Sequence, residues 1–450
     1  MVKKLFERIL TPFEQFLQRT TSGGIVLMAA TVLTLIFANS KWGSFLFDIL
    51  DQPIWIGIGS QQLKFTPHLL VNDGLMTVFF LVVGLELKRE ILAGELSSMR
   101  AAALPVFAAL GGMVVPALIY YSLNREGLTA RGWGIPMATD IAFAVGILVL
   151  IARRIPRNLI IFLTALAIAD DLGAVLVIAL FYTSDISLPA LGCAAGTLAF
   201  LVLLNLGGTR HPIPYSVGGL LLWLAMLQSG IHATIAGVLL ACTIPARAAF
   251  TPMQFAKRLA QLHGQFHAEA ANPNAPDRLL SNPRMSTMAQ GVEDAAGAVQ
   301  SPLQRMEHAL SPWVTFLIIP LFAISNVGID FGEIRLGESL RQSVTLGVIF
   351  GLVAGKFLGI SIFSWLAVKL RIGRLPAGVT WPYLLGVAWL GGIGFTMSLF
   401  ISQLAFADPF LNEQAKLGIL VASALSGGIG FLWLYLTGRI SQIHGATPKY

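Results

Sequence analysis

Two adjacent aspartates, Asp170 and Asp171, stand in ALAIADDLGAV (165–175), inside an apolar run from Leu159 to Phe181. An aspartate at the centre of a membrane-spanning helix costs roughly 2.5–3.5 kcal/mol. A pair costs about twice that, against a typical folding stability of roughly 5–15 kcal/mol. Neighbouring helical residues point about 100° apart, so one can line a cavity while the other faces a packed helix. Close carboxylates in low dielectric resist joint ionisation. Such groups hold protons near neutral pH, and a small hard cation with oxygen ligands can displace those protons.

Other polar residues sit in equally apolar surroundings. GIPMATDIAFAVG (134–146) places Pro136, Thr139 and Asp140 together. A charge after a helix break offsets exposed N–H groups and the positive ends of half-helices. For Asp140 that electrostatic role and direct cation ligation both stand, and Thr139 offers a further oxygen. Lys356, in GLVAGKFLGI, needs a carboxylate or helix C-terminal carbonyls as partner. Asp170 or Asp171 is the expected one, either as a structural ion pair or as a group whose proton moves.

Glu86, Lys88, Arg89 and Glu90 cluster in VGLELKREI, and Arg305, Glu307 and His308 in QRMEHAL. Singly they are ordinary interfacial charges; together they form a cluster able to sense pH. His232, in SGIHATIAG, is either structural or a group titrating near neutrality. Asp73, after Asn72, reads as a gating or structural polar group.

The elements that position these residues are membrane helices. Hydrophobic residues make up 55% of the 450 and charged residues only 12%, where soluble chains carry roughly 25%; mean hydropathy is +0.74. Twelve apolar spans are expected, at about 22–39, 67–87, 98–121, 134–152, 158–182, 188–206, 213–229, 231–246, 312–328, 342–368, 381–404 and 415–438. An even number puts both termini on one side. With that side cytoplasmic, the outside segments hold only Lys41, Lys64, Arg125, Arg131, Arg335, Arg341 and Lys416 of the 30 basic residues, as the positive-inside rule requires. The net charge of +7 reports topology and contact with anionic lipid, with no nucleic-acid partner implied. Cys193 and Cys242 read as packing residues, without disulfide or metal spacing.

The whole chain, 1–450, reads as one transmembrane domain with three appended pieces. Residues 1–21 form an amphipathic interfacial helix, without a signal-peptide cleavage site. Residues 45–66 carry an external β-hairpin with apolar alternation around Gly59-Ser60. It is either a plain surface hairpin or a dimer contact through edge pairing. Residues 247–311 form a long inside loop. Its Phe255, Leu259, Leu262 and Phe266 have the spacing of a surface helix, and AANPNAPDRLLSNPRMS lacks the apolar content to fold alone.

Spans three to five and ten to twelve each read as long, interrupted, long. Pro136 breaks span four, and Gly391, Gly392 and Gly394 in WLGGIGFTMS break span eleven. The two units start on opposite sides of the membrane, so the repeat is inverted, with a site where the broken helices meet.

At PMATDIAFAVGILVL, ALAIADDLGAVLVIALFYTSD, GLELKREI, SGIHATIAGV, GKFLGISIF and GGIGFTMSLFIS, the sequence resembles the NhaA-type sodium/proton antiporters of bacteria. The resemblance runs from about Gly23 to Arg439, broken mainly near 250–300. NhaA is itself a type example of the inverted-repeat rule used above, so that architecture is no independent prediction. The resemblance implies twelve helices with crossed broken spans four and eleven, a cytoplasmic funnel, and homodimers joined through the hairpin. It implies pH-controlled exchange of Na⁺ or Li⁺ for protons in the bacterial inner membrane, with no cofactor and no enzyme activity.

Carried over residue by residue, the family's cation- and proton-binding pair falls on Asp170 and Asp171, and its broken-helix pair on Thr139 and Asp140. Its membrane lysine falls on Lys356, its pH-response cluster on Glu86, Arg89, Glu90 and Glu307, and the associated histidine on His232. Ser311 stands where the familiar pattern has a second histidine and Gln304 where it has a lysine. These departures bear on the pH set-point and leave the ion site untouched.

The expected function is therefore an electrogenic Na⁺(Li⁺)/H⁺ antiporter working by alternating access. The alternative is a sodium-coupled symporter of an organic solute on the same fold. An intramembrane aspartyl protease would need aspartates on separate helices, and a prenyltransferase spaced acidic motifs at the membrane face; the chain has neither. A passive channel suits a buried lysine and carboxylate pair poorly.

Overall fold

The computed structural model describes residues 20–41, 43–58, 61–183, 186–272, 281–329 and 336–443. Residues 1–19 of the expected interfacial helix, 59–60 of the hairpin and 273–280 of the long loop lie outside them. The described chain is mostly helical. Its only strands among the described residues are β1 (Ile54–Ile58) and β2 (Gln61–Phe65), antiparallel, with Ile54 opposite Phe65 and Ile58 opposite Gln61.

The apolar runs become α1 (Thr20–Ala38), α2 (Pro67–Ala93), α3 (Met99–Leu123), α4 (Ile141–Leu150), α5 (Arg157–Phe181), α6 (Leu188–Leu206), α7 (Pro212–Leu227) and α8 (Ile235–Thr243). Two helices follow in the long loop, α9 (Pro252–Ala270) and α10 (Pro283–Val299). Then come α11 (Pro302–Asn326), α12 (Ser343–Lys369), α13 (Trp381–Leu390), α14 (Phe395–Ala405) and α15 (Pro409–Ile443). Seven of these helices are long and apolar enough to cross a membrane. A 3₁₀ stretch, Gly127–Met137, meets α4 at a 40° bend, and α13 meets α14 at 44°.

Local chemistry places the helix ends. Ser98 caps α3 by accepting from the Ala101 N–H at 3.3 Å. Ser301 and Gln304 form a capping box at the start of α11, and Thr251 and Gln254 form one at α9. Such reciprocal bonds satisfy amides that a helix start leaves unpaired. The long loop therefore holds a helical pair, α9 against α10, with Leu262 and Ala295 buried. The sequence reading foresaw the first of these helices only.

Two apolar cores form. One gathers α1, α3, α4, α5 and α11 to α15; the other gathers α6, α7, α8 and the first turns of α11. Helix α2 belongs to both, giving Met76, Phe80 and Val82 to the first and Leu81 and Leu85 to the second. Outward residues such as Leu33, Ile36, Leu203 and Leu206 stay exposed, as helices do whose outer faces meet lipid.

Helix α12, which carries Lys356, meets α3 through glycine. Gly111 on α3 and Gly359 on α12 meet backbone to backbone, each where the other's side chain would stand. Small residues at such crossings are the usual basis of helix association in lipid. Gly359→Ala is therefore expected to destabilise the protein by about 1–3 kcal/mol, the usual cost of overpacking. Gly264→Ala on α9, where an added methyl meets nothing within 4 Å, is expected to be neutral or stabilising. Thermal unfolding of both variants in detergent checks the contrast, and equal midpoints would remove this account of the crossing.

Candidate functional site

Asp170 and Asp171 are both fully buried on α5, and the turn between them separates their surroundings. Asp170 Oδ2 accepts from the Lys356 ammonium at 2.5 Å, and Lys356 is itself without solvent exposure. Lys356 starts the regular part of α12, directly after the wider π turn Gly351–Gly355. Turns of that kind recur at functional sites. The sequence left the partner of Lys356 open between two aspartates; the fold selects Asp170.

Asp171 has no such partner. Neither of its carboxylate oxygens has a hydrogen-bond partner among the described residues. It lines a cavity of about 280 Å³ with Val82, Val83, Glu86, Asp140, Thr164, Ser311 and Thr396. The charges that act on it are Asp170, Asp140, Lys356 and Glu86. A bare carboxylate in this position is expensive, so a proton or a cation must accompany it. The arrangement can therefore trade one for the other.

The two bends meet beside it. The Asp140 N–H donates to the Ile393 carbonyl at 2.7 Å, and the Thr139 hydroxyl to the Gly391 carbonyl at 2.8 Å. Asp140 Oδ1 caps α4 by accepting from the Phe143 N–H at 2.9 Å. Its Oδ2 accepts from the Thr396 N–H at 3.0 Å and from the Thr396 hydroxyl at 2.5 Å. The aspartate thus serves the exposed amides of both bends, the electrostatic role weighed for it, while still lining the cavity. Thr139 spends its proton on Gly391 and keeps oxygen lone pairs.

Sequence reasoning passed over Thr396. It lies in GGIGFTMS, a motif quoted for its glycines, at the break that answers the one holding Thr139. Hydrogen bonds to charged groups contribute about 1.5–3 kcal/mol. Thr396→Val is therefore expected to weaken apparent Na⁺ affinity about tenfold or more, and Thr396→Ser to stay near the parent. The Na⁺ dependence of exchange measures this; equal affinities would show that Asp140 needs no hydroxyl there.

The Glu86 end of the cavity carries the charged cluster. Arg89 lies 3.7 Å from Glu86 and 3.2 Å from Glu90, and forms an ion pair with Glu307 from α11. The structure thus brings Glu86, Arg89, Glu90 and Glu307 together across two helices. It does not bring His232 to them. That residue stands in the turn before α8, beside the Tyr182 backbone at the end of α5. Asp73 lies in a π turn of α2, Leu70–Leu75, and its carbonyl accepts from the Trp223 indole at 3.2 Å. Neighbouring Asn72 bridges to Asn326 of α11 at 2.7 Å.

Among the described residues no group of three or more His, Cys, Asp or Glu side chains is placed to hold a metal ion. A cation at Asp171 would draw its other ligands from hydroxyl and backbone oxygens, the donors of a small hard ion. Cys193 and Cys242 are free and exposed.

The profile of one protein family, described as Na⁺/H⁺ antiporter 1, matches residues 14–434. The chain belongs to that family. Relatives support the same membership over nearly the full length. One from Syntrophobacter fumaroxidans, named Na(+)/H(+) antiporter NhaA, is 67% identical over 437 residues, covering 97% of this chain and 93% of its own. One of the same name from Acidithiobacillus ferrooxidans is 57% identical over 98% of this chain and 100% of its own. A third, from Saccharophagus degradans and named Na(+)/H(+) antiporter NhaA 1, is 47% identical over 98% and 95%. As a member of the Na⁺/H⁺ antiporter 1 family, the chain is a multi-pass membrane transporter and not an enzyme.

Proposed function

We propose that this protein exports Na⁺ or Li⁺ in exchange for protons, with Asp171 as the exchange site. The observation that carries the reading is a buried carboxylate with no partner of its own among the described residues, opening on a cavity, beside an Asp170–Lys356 pair that is already neutralised. In the state facing the cytoplasm, Asp171 releases its proton to the cytoplasmic water and a cation takes its place. The protein then rocks, the cation leaves outside, and protons reload the site. If the Lys356 ammonium also sheds its proton as the cation draws Asp170 away from it, one cation displaces two protons and each cycle moves charge inward. Every such charge is driven by roughly 2.3 kcal/mol per 100 mV. No cofactor is called for, since the ions are substrates.

The architecture proposed for this cycle has twelve spans. They are α1, α2, α3, the bent pair ending in α4, then α5, α6, α7, α8, α11, α12, the bent pair α13–α14, and α15. The order long, bent, long at α3 to α5 and again at α12 to α15 supports an inverted repeat, with the two bends of 40° and 44° as its broken helices. Both termini are cytoplasmic, in the inner membrane of a bacterium. The Glu86, Arg89, Glu90 and Glu307 cluster tunes activity to pH, with His232 acting from a separate position. The β-hairpin joins two copies: both edges of a two-stranded sheet are free to pair.

The test uses purified protein in liposomes with an acid interior and a dye that reports the pH gradient. Na⁺, Li⁺, K⁺ or choline is added outside, across neutral pH. Collapse of the gradient by Na⁺ and Li⁺ alone is the expected result. No response to any cation from inserted, folded protein would overturn antiport and bring sodium-coupled symport forward. A response of equal size at every pH would overturn the pH role of the cluster alone.

A further inference from the structure

Lys88 lies next to Arg89 in sequence, yet it pairs with no acidic side chain among the described residues. Its ammonium donates instead to three backbone carbonyls, those of Ala241 at 3.3 Å, Cys242 at 2.7 Å and Ile244 at 2.6 Å. Three bonds use every hydrogen that a lysine ammonium has to give. The acceptors are the last turn and the cap of α8. The Ala241 carbonyl also accepts from the Ile244 N–H at 3.3 Å, while a helix end leaves its last carbonyls short of backbone partners, and all carry the negative end of its dipole.

The contact closes a ring. Just beyond α8, the Pro245 carbonyl accepts from the Leu303 N–H at 3.1 Å, at the start of α11. One turn further along α11, Glu307 is ion-paired with Arg89, back on α2. The same two helices also touch directly, with Gly237 of α8 pressed on the α2 backbone at Thr77 and Leu81. Helix α2 is thus tied to α8 and α11, and it presents Phe79, Val82, Val83 and Glu86 to the Asp171 cavity.

We infer that Lys88 is a positioning residue for ion exchange: by capping the C-terminal carbonyls of α8 it fixes the turn of α2 that forms the cavity wall facing Asp171. The inference rests on the exchange reading above and adds to it a residue that touches neither the ion nor the cavity. Losing the cap takes the ammonium from the Cys242 and Ile244 carbonyls and frees the Glu86 turn, so the cavity spends less time in its binding shape.

The sign of the effect separates this role from charge alone. Removing a positive charge near a cation path would, by electrostatics only, draw Na⁺ in and lower its apparent KM. Loss of positioning raises it. The test measures Na⁺-dependent exchange by the full-length protein in liposomes for the parent, Lys88→Met and Lys88→Arg. The expected result is a several-fold higher KM for Na⁺ in Lys88→Met, with the maximal rate per folded protein held near the parent's. Lys88→Arg, which keeps the charge and several donors, stays near the parent. Should Lys88→Met not yield folded protein, Lys88→Gln takes its place, keeping a donor and losing the charge, and its KM must lie above the parent's. An unchanged or lowered KM in the folded variant overturns the inference, as does a fall in rate with KM untouched. A parent protein that shows no Na⁺-driven exchange overturns the exchange reading itself, a result read before any variant is compared.

Discussion

Asp171→Asn is expected to abolish Na⁺-driven and Li⁺-driven exchange, down to the leak of empty liposomes, while the protein inserts and folds as the parent does. The amide is close to the carboxylate in shape, so the cavity among Glu86, Asp140, Thr164 and Thr396 keeps its walls. What it lacks is a proton to release at neutral pH and a charge to hold the cation once the proton has gone. Among the described residues both carboxylate oxygens of Asp171 stand without a hydrogen-bond partner, so no bond seen to hold the fold is lost. Burying an unpaired ionisable group is costly, and the variant is expected to unfold at the parent's temperature or slightly above. The liposome assay and a thermal unfolding scan read the two halves of this expectation separately. Normal exchange by Asp171→Asn would remove the central reading and turn attention to Asp140, the remaining unneutralised carboxylate of the cavity.

The second large effect concerns stability. Lys356→Met takes away the partner of Asp170 in a place where neither side chain has any solvent exposure. Removing one member of a buried ion pair costs about 3–5 kcal/mol, because the other charge is left uncompensated. Replacing both members with neutral groups of similar size is often harmless. Lys356→Met is thus expected to unfold far below the parent, and Asp170→Asn combined with Lys356→Met to recover most of the loss. Thermal unfolding of the single and double variants in detergent decides it. If the double variant is as unstable as the single, the lysine stabilises α12 by packing on α3 and not through the aspartate. Exchange by the double variant also reports whether the Asp170–Lys356 pair carries a transported proton. With one proton site left, the cycle would become insensitive to membrane potential.

The same two residues show how far a sequence can be read. Asp170 and Asp171 announce themselves because each charge stands in a run that would otherwise partition wholly into lipid. No neighbour in sequence explains them. Which one takes the lysine depends on the rotation of α5 against α12. Both helices pack on α3, and the place of α12 there is set by backbone contact at Gly111 and Gly359, residues 248 positions apart in numbering. Thr396 was overlooked for a related reason. A threonine in an apolar span is cheap, since its hydroxyl can bond within its own helix, and only the meeting of two bends shows it holding Asp140. His232 illustrates the opposite case. A histidine at a span start looks like a pH-sensitive group wherever it lies, and the fold sets it beside Tyr182, apart from the acidic cluster.

Some properties of this protein were determined by sequence alone, because they follow from the cost of transferring residues into lipid. These are the mostly helical, membrane-spanning character that the long apolar runs impose, and the suspicion that falls on Asp140, Asp170, Asp171 and Lys356. Transfer costs are local and additive along the chain. Partner choice is neither. That Lys356 neutralises Asp170 and leaves Asp171 facing a cavity, that Asp140 serves two bends at once, and that Lys88 caps α8 in place of joining its acidic neighbours were decided by tertiary structure. Each depends on where helices distant in sequence come to cross, and those crossings are set by close packing over whole helix faces.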